Sequence, residues 1–472
     1  MTLITENHPF AYETERLFRS FFPPIKISLS SDAAQAEGEF CLTSREFTNE
    51  GIRLSVLFCA EGKRISREQT ISQAPEKEQE RVLSVLLYRV LEEYTGITPP
   101  WGILTGVRPV KLLSEMPREE ACERLLVTPE KYALAQRISA VQKPIAEALP
   151  KRSFSLYVSI PFCPSRCSYC SFVSHSVDKA AGLIEEYLEK LIIELKGTAD
   201  IARQLSLKLD TVYFGGGTPT TLSAEELSRL FEALGAFDMG GVREFTVEAG
   251  RPDTITREKL LAIKSAGARR ISVNPQTMRD SVLSAIGRRH SAADAEAAYH
   301  LAREIGFDSI NMDLIAGLPT DDEEGFRYSL DRVCALSPEN ITVHSLSLKR
   351  AAELFHKQSG AVSGEAARMT DYAHDTLAAQ GYVPYYLYRQ KNTADNRENT
   401  GYAMPGTESL YNIFVMEELQ TVLAVGAGAS TKLVDRAGSR IERLVNFKYP
   451  YEYIGRFDET MRTKQRVFEF FA

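Results

Sequence analysis

The sequence predicts an α/β protein: a partial (β/α)6 barrel with an additional α+β domain ahead of it and an irregular C-terminal segment. Three observations carry this. From Phe154 onward, short apolar runs alternate six times with amphipathic stretches of helical period, the pattern of a parallel sheet whose crossovers are helices. Before about residue 150 that alternation is missing, and β-like runs precede long helical ones. After about Gly360 one helix is followed by aromatic-rich strands and turns. The expected domains are therefore an α+β domain over 1–150, the barrel over 151–350 and a covering region over 351–472.

In chain order, the first domain opens with β-like runs at Lys26 to Leu29 and Ile52 to Phe58. Glu76 to Tyr94 then reads as a helix, because Val82, Leu83, Val85, Leu86, Val90 and Leu91 form one apolar stripe. The Pro/Gly-rich stretch 96-GITPPWGILTGVRPVKLL-113, holding the single tryptophan Trp101, interrupts it as an interface loop or a packed turn. Two more helical stretches end near Pro150. The barrel strands are expected at 154–160, 211–214, 244–248, 270–273, 309–314 and 341–345, with helices between them. A further helix is expected at 365–380.

A chain of 472 residues with 44% hydrophobic content fills a real core. The net charge of −7 offers no field to gather nucleic acid. The N-terminus lacks the basic start and apolar run of a secretory signal, and no apolar run approaches twenty residues, so a cytoplasmic protein without a membrane partner is expected. Disulfides are rare in that reducing compartment, which directs the seven cysteines toward metal or redox chemistry. Cys41, Cys59, Cys122 and Cys334 stand apart in apolar surroundings and read as small buried hydrophobes.

The other three cluster in 160-IPFCPSRCSYCSFVSH-175, as C-x3-C-x2-C. A structural zinc site takes four ligands, usually from two separated knuckles; this chain has one knuckle with His175 nearest, and His344 or His374 could join only by folding back. Three thiolates on an iron–sulfur cluster leave one iron open to substrate or cofactor. The loop follows the first barrel strand, at the face where β/α barrels gather their active sites.

This spacing, with Tyr169 before the last cysteine, resembles the signature of radical S-adenosylmethionine enzymes. The resemblance implies that Cys163, Cys167 and Cys170 hold a 4Fe-4S cluster. It also implies that S-adenosylmethionine chelates the open iron and is split by one electron to a 5′-deoxyadenosyl radical. Later strand ends extend the match. FGGGTPT closes the second strand; VEA closes the third, with Glu248 poised for ribose hydroxyls or an amine, or simply paired with Arg251. Gln276 follows the fourth, Arg288 lies at the end of a helical pattern, and Asp313 sits in the fifth within INMDLIAGLP. With 425-VGAGAS-430 these motifs resemble the oxygen-independent coproporphyrinogen III oxidase family over about Tyr157 to Ser347. By that resemblance Tyr157, Gly216, Gly217, Thr218, Glu248, Gln276, Arg288, Asp313 and Ser347 hold S-adenosylmethionine.

Two departures select a branch. The decarboxylases carry a further cysteine where this chain has Phe172, and the heme chaperones carry a His-Asn-x-x-Tyr motif where it has Glu398-Asn399-Thr400-Gly401-Tyr402. The layout fits the HemZ-like group, in which an extra N-terminal domain precedes the barrel. The implied reaction is oxidative decarboxylation of two coproporphyrinogen propionates to vinyls, with an electron donor such as flavodoxin or ferredoxin. Lys349, Arg350, Arg389, Lys391 and Arg397 are candidates to meet the carboxylates of the tetrapyrrole, or form a solvated basic patch. A heme-binding delivery protein is one alternative. A radical enzyme on another substrate is a second, with RNA suggested only by Arg108 to Lys111.

Overall fold

A computed structural model describes residues 1–22, 26–170, 175–347, 364–391, 393–435 and 440–471. Phe172, Lys349 and Arg350 lie outside the described residues. The described chain forms two compact units: Met1–Ser139 with Tyr388–Glu398, and Ala140 to Ser347 with Glu365–Leu387 and Asn399 onward.

The first unit is α+β. Its strands β1 (Thr2–Glu6), β2 (Ser28–Ser30), β3 (Phe40–Thr48), β4 (Gly51–Ala60) and β5 (Lys63–Ile71) make one sheet in the order β2-β1-β3-β4-β5. Along β4 the residues alternate, with Ile52, Leu54, Val56 and Phe58 facing the core. Helices α1 (Ala11–Phe21) and α2 (Glu76–Thr95) lay Leu17, Phe18, Phe21, Leu83, Leu87 and Leu91 onto that face. Gly96, in the left-handed conformation, ends α2 where the sequence turns Pro/Gly-rich. The short helix α3 (Pro109–Leu113) and α4 (Pro129–Glu147) follow. The sequence missed β1, β3 and β5, whose burial does not alternate along the strand and, in β5, leaves no residue buried.

In this unit Trp101 is a packed turn residue, fully buried. Its Nε1 donates to Glu398 Oε2 at 2.8 Å, and Lys131 Nζ on α4 donates to Glu398 Oε1 at 2.5 Å. Arg389 lies over the Trp101 ring and donates to the carbonyl of Leu104 and to Asn396 Oδ1. Lys391 lies over the Tyr12 ring. Two cations considered for substrate carboxylates are therefore engaged in the packing of the first unit.

The second unit holds the barrel. Its strands are β6 (Ser153–Ile160), β7 (Phe162–Cys163), β8 (His175–Ser176), β9 (Lys208–Gly216), β10 (Glu244–Glu248), β11 (Arg270–Ser272), β12 (Ser309–Ala316) and β13 (Asn340–Ser345). The crossover helices are α5 (Val177–Gln204), α6 (Ala224–Ala233), α7 (Arg257–Ser265), α8 (Asp280–Ala285), α9 (Ala292–Ile305) and α10 (Glu323–Leu336). Strands β6, β9, β10, β11, β12 and β13 pair in parallel in chain order, the six that the sequence predicts. The strands are buried on both faces, as parallel strands flanked by helices must be. Polar starts fix the helices: Ser223 and Glu226 form a capping box on α6, as do Ser291 and Asp294 on α9.

The segment read as irregular adds to this sheet. After α11 (Glu365–Ala379) come β14 (Val383–Tyr388), β15 (Asn399–Ala403), α12 (Leu410–Glu417), β16 (Thr421–Val425), β17 (Ser430–Val434) and β18 (Ile441–Val445). β16 pairs in parallel with β6, making a seventh parallel strand on the far side of the first. β15 runs antiparallel beside β13, and β17 antiparallel beside β16. Among the described residues the two outer parallel strands are not paired to each other, so the barrel is partial. The VGAGAS loop follows β16 and shares the rim of the other strand ends. Glu194 of α5, fully buried, anchors it by accepting from the amide of Gly426, Asn446, Tyr453 and Lys464.

Candidate active site at the C-terminal ends of the strands

The cysteine loop leaves β6 and is held by its neighbours. Gly217 N–H donates to Ile160 O at 2.7 Å, and Thr218 N–H to Phe162 O at 2.8 Å. A Cβ on Gly217 would stand 2.5 Å from Phe162 O, so this close approach of two backbones requires glycine. Gly216 has φ +108°, a conformation that side chains rarely adopt. The FGGGTP motif thus seats the second strand end against the cysteine loop. Thr218 Oγ1 lies 3.5 Å from Cys163 Sγ.

Cys167 is buried, and Cys163 and Cys170 are half-buried. Cys170 N–H donates to Cys167 O, closing a turn between the last two cysteines. Ser168 N–H donates to Ile286 O, pinning the loop on the segment after α8. Two arginines border Cys167. Arg251 Nη1 is 3.6 Å from its sulfur, and Arg288 donates to Gly250 O, Asn274 O and the Tyr169 hydroxyl. Arg251 thus pairs not with Glu248 but with Asp253, at 2.9 Å.

A second group lies at the ends of β10, β12 and β13. Glu248 accepts from the Tyr213 hydroxyl and the Gly216 amide. Burial pushes its carboxyl up to about 7, the nearby charge of Asp313 adding to this. Burial would raise Asp313 too, but His344, with Nε2 3.6 Å from Asp313 Oδ2, and Asn311 hold it below its ordinary range. His344 is held above its ordinary 6.5 by the same carboxylate, against burial. Gln276, buried with φ +70°, donates its amide N–H to Asp313 O at 2.9 Å and accepts from Ile315 N–H. Such a conformation in a non-glycine residue marks a position that the surroundings dictate. Tyr157, Tyr213 and Tyr411 stack below these carboxylates, the last two with ring centres 4.3 Å apart. Ser347 lies half-buried just past β13, on the same rim.

The site residues therefore fall into a thiol group and a carboxylate group, joined by the glycine loop that touches both. Tyr213 and Tyr411 were not singled out as site residues in the sequence, and His344 entered only as a distant zinc ligand. Tyr213 left a signal, a polar-tipped residue between the apolar Val212 and Phe214 toward the end of its strand; Tyr411 left none.

The chain is similar to known proteins in the same terms. The radical SAM superfamily profile matches residues 157–333. The oxygen-independent coproporphyrinogen-III oxidase-like protein HemZ of Bacillus subtilis is 42% identical over 416 residues, which cover 83% of this chain and 82% of that protein. The chain belongs to this HemZ branch of the radical SAM superfamily. The heme chaperone HemW of Bacillus subtilis is 32% identical over 58% of this chain and 70% of its own, and HemW of Escherichia coli 29% over 67% and 81%. The structure of the Escherichia coli coproporphyrinogen III oxidase HemN aligns with a TM-score of 0.55 at 23% identity, over 67% of this chain and 72% of that one, a shared fold. No helix among the described residues is long and apolar enough to cross a membrane.

Radical SAM proteins imply a 4Fe-4S cluster and S-adenosylmethionine, and the residues of this HemZ-type site fit both. The three thiols are unbridged and come from one loop. Among the described residues no three His, Cys, Asp or Glu side chains converge on a single ion. A cubane asks for less convergence, since each thiolate takes a different iron. Beside the loop, Arg288 Nε, Asn274 Oδ1 and Ser168 Oγ are buried without a hydrogen-bond partner, polar atoms for a bound group to satisfy. Cys163, Cys167 and Cys170 would hold the cluster. The glycine loop and Glu248, Gln276, Arg288 and Asp313 would offer amides, carboxylates and a guanidinium to S-adenosylmethionine.

Proposed function

We propose that this HemZ-type protein carries out oxygen-independent oxidative decarboxylation of coproporphyrinogen III, converting two propionates to vinyls. The observation that carries this reading is the 42% identity to the coproporphyrinogen-III oxidase-like protein HemZ, which extends over 83% of the chain and so well beyond the barrel. Each propionate loses one hydrogen atom from the carbon next to the ring to the deoxyadenosyl radical, then CO2 and one electron, which passes to an external one-electron acceptor. The cluster and S-adenosylmethionine, when bound, supply the hydrogen-abstracting radical, and a flavodoxin or ferredoxin class protein supplies reducing electrons. The residues of this chain orient the cofactor and keep water from the reacting carbon, work suited to a buried rim of strand ends.

The position of Glu398 supports an enzyme over a heme carrier. It stands where the chaperone motif has histidine, and its carboxylate is spent on Lys131 and Trp101. Anaerobic incubation of the reconstituted protein with S-adenosylmethionine, reductant, a one-electron acceptor and coproporphyrinogen III should yield deoxyadenosine, CO2 and a product lighter by two CO2 and four hydrogen atoms on mass spectrometry. Deoxyadenosine without a vinyl product overturns the substrate assignment. Stoichiometric heme binding without decarboxylation assigns the chain to the carrier reading instead.

Affinity for S-adenosylmethionine should rise with pH through about 7, where Glu248 ionises and gains attraction for the cationic ligand. Between pH 6 and 8 the ionised fraction climbs from about a tenth to about nine tenths, a gain of roughly tenfold. Titrations of the reconstituted protein over this range check it, and Glu248→Gln should flatten the dependence.

A further inference from the structure

We propose that Arg251 positions the cluster ligand Cys167 and, through its hydrogen bond to the sulfur, makes the cluster easier to reduce. This rests on the reading that Cys163, Cys167 and Cys170 hold a 4Fe-4S cluster. Arg251 follows β10 by three residues and is 3% exposed. Its fork is fully engaged. Nη1 stands 3.6 Å from Cys167 Sγ and donates to Ser165 O at 3.3 Å. Nη2 donates to Ser165 Oγ at 3.1 Å. Nε and Nη2 grip the Asp253 carboxylate at 3.0 and 2.9 Å. One guanidinium thus ties the cysteine loop, the thiol sulfur and the turn after the third strand into one unit.

The carboxylate of Asp253 offsets the cost of burying the charge, while leaving the N–H edge aimed at the sulfur. A donor aimed at a thiolate stabilises the more electron-rich state of the cluster, and so raises its reduction potential. A planar fork makes these bonds at once; a lysine point charge does not. Arg288, the other guanidinium by Cys167, donates to Gly250 O, Asn274 O and the Tyr169 hydroxyl and also reaches the sulfur. Arg251 differs in also gripping the cysteine loop at Ser165 O and Oγ while Asp253 matches its charge.

The test uses the full chain reconstituted anaerobically, as wild type, Arg251→Met and Arg251→Gln. Iron and sulfide content is measured separately from the midpoint potential, which is followed by electron paramagnetic resonance of the reduced cluster. Wild type and both variants should load iron, and both variants should titrate at more negative potential, Arg251→Met further than Arg251→Gln. At the poise that reduces half of the wild-type cluster, less than half should be reduced in either variant. A loaded variant that titrates at the wild-type midpoint or above it overturns the proposal. Loss of iron from both variants also overturns it, leaving Arg251 a loop anchor only. A wild-type protein that takes up no cluster overturns instead the reading on which the proposal rests.

Discussion

Replacing any one of Cys163, Cys167 and Cys170 by alanine should strip the protein of its cluster and abolish deoxyadenosine formation. Two thiolates leave a second iron without a protein ligand, and the loss should exceed the ~10–100-fold typical of removing an outer partner. The fold should survive, because the loop is held by backbone. Gly217 and Thr218 donate to Ile160 and Phe162, β7 pairs with β8, and Ser168 donates to Ile286. Iron analysis and cluster absorption, with circular dichroism as the fold control, check this. Cys334→Ala supplies the contrast. Cys334 is buried on α10 in the core and should keep full iron content after substitution.

Glu398→Ala should destabilise the first unit by about 3–5 kcal/mol, the cost of removing one partner of a buried ion pair. Lys131 would be left buried without its carboxylate, and Trp101 Nε1 would lose its acceptor. Burial opposes the ionised form of Glu398, yet the charges of Lys131 and Arg397 outweigh it and depress the carboxyl to about 2 from its ordinary 4.5. A depressed carboxyl contributes stability above its unfolded value, and that stability is lost as pH falls from about 4.5 toward about 2. Urea unfolding at pH 7 should show the full loss in Glu398→Ala. Glu398→Gln should lack the acid-dependent part between pH 5 and 3. Pairing Glu398→Leu with Lys131→Met should recover much of the difference, since an apolar pair of similar volume carries no desolvation cost.

The barrel was readable because its signal is local. Parallel strands buried on both faces are unbroken apolar runs, and their crossover helices carry their own caps, as Ser223 and Ser291 show. The five-residue β16 was not readable. Its sequence TVLAV resembles many short apolar segments, and its place beside β6 depends on a partner more than 260 residues earlier. Cations near Arg389 looked available for substrate carboxylates. In the fold Arg389 packs on Trp101 and bonds to Leu104 and Asn396, contacts that no spacing rule foretells.

The sequence by itself determined the chemistry on offer: three thiols at one strand end, glycines at the next, carboxylates and an arginine at those that follow. Each is a short motif whose meaning lies in residue type and spacing. Tertiary structure alone decided which of them meet. It turned Arg251 away from Glu248 and onto Cys167, set His344 beside Asp313, and locked Glu398 against Lys131. The reason is physical: a buried charge must find a partner, and which partner lies within reach is set by the packing of strands and loops far apart in the chain.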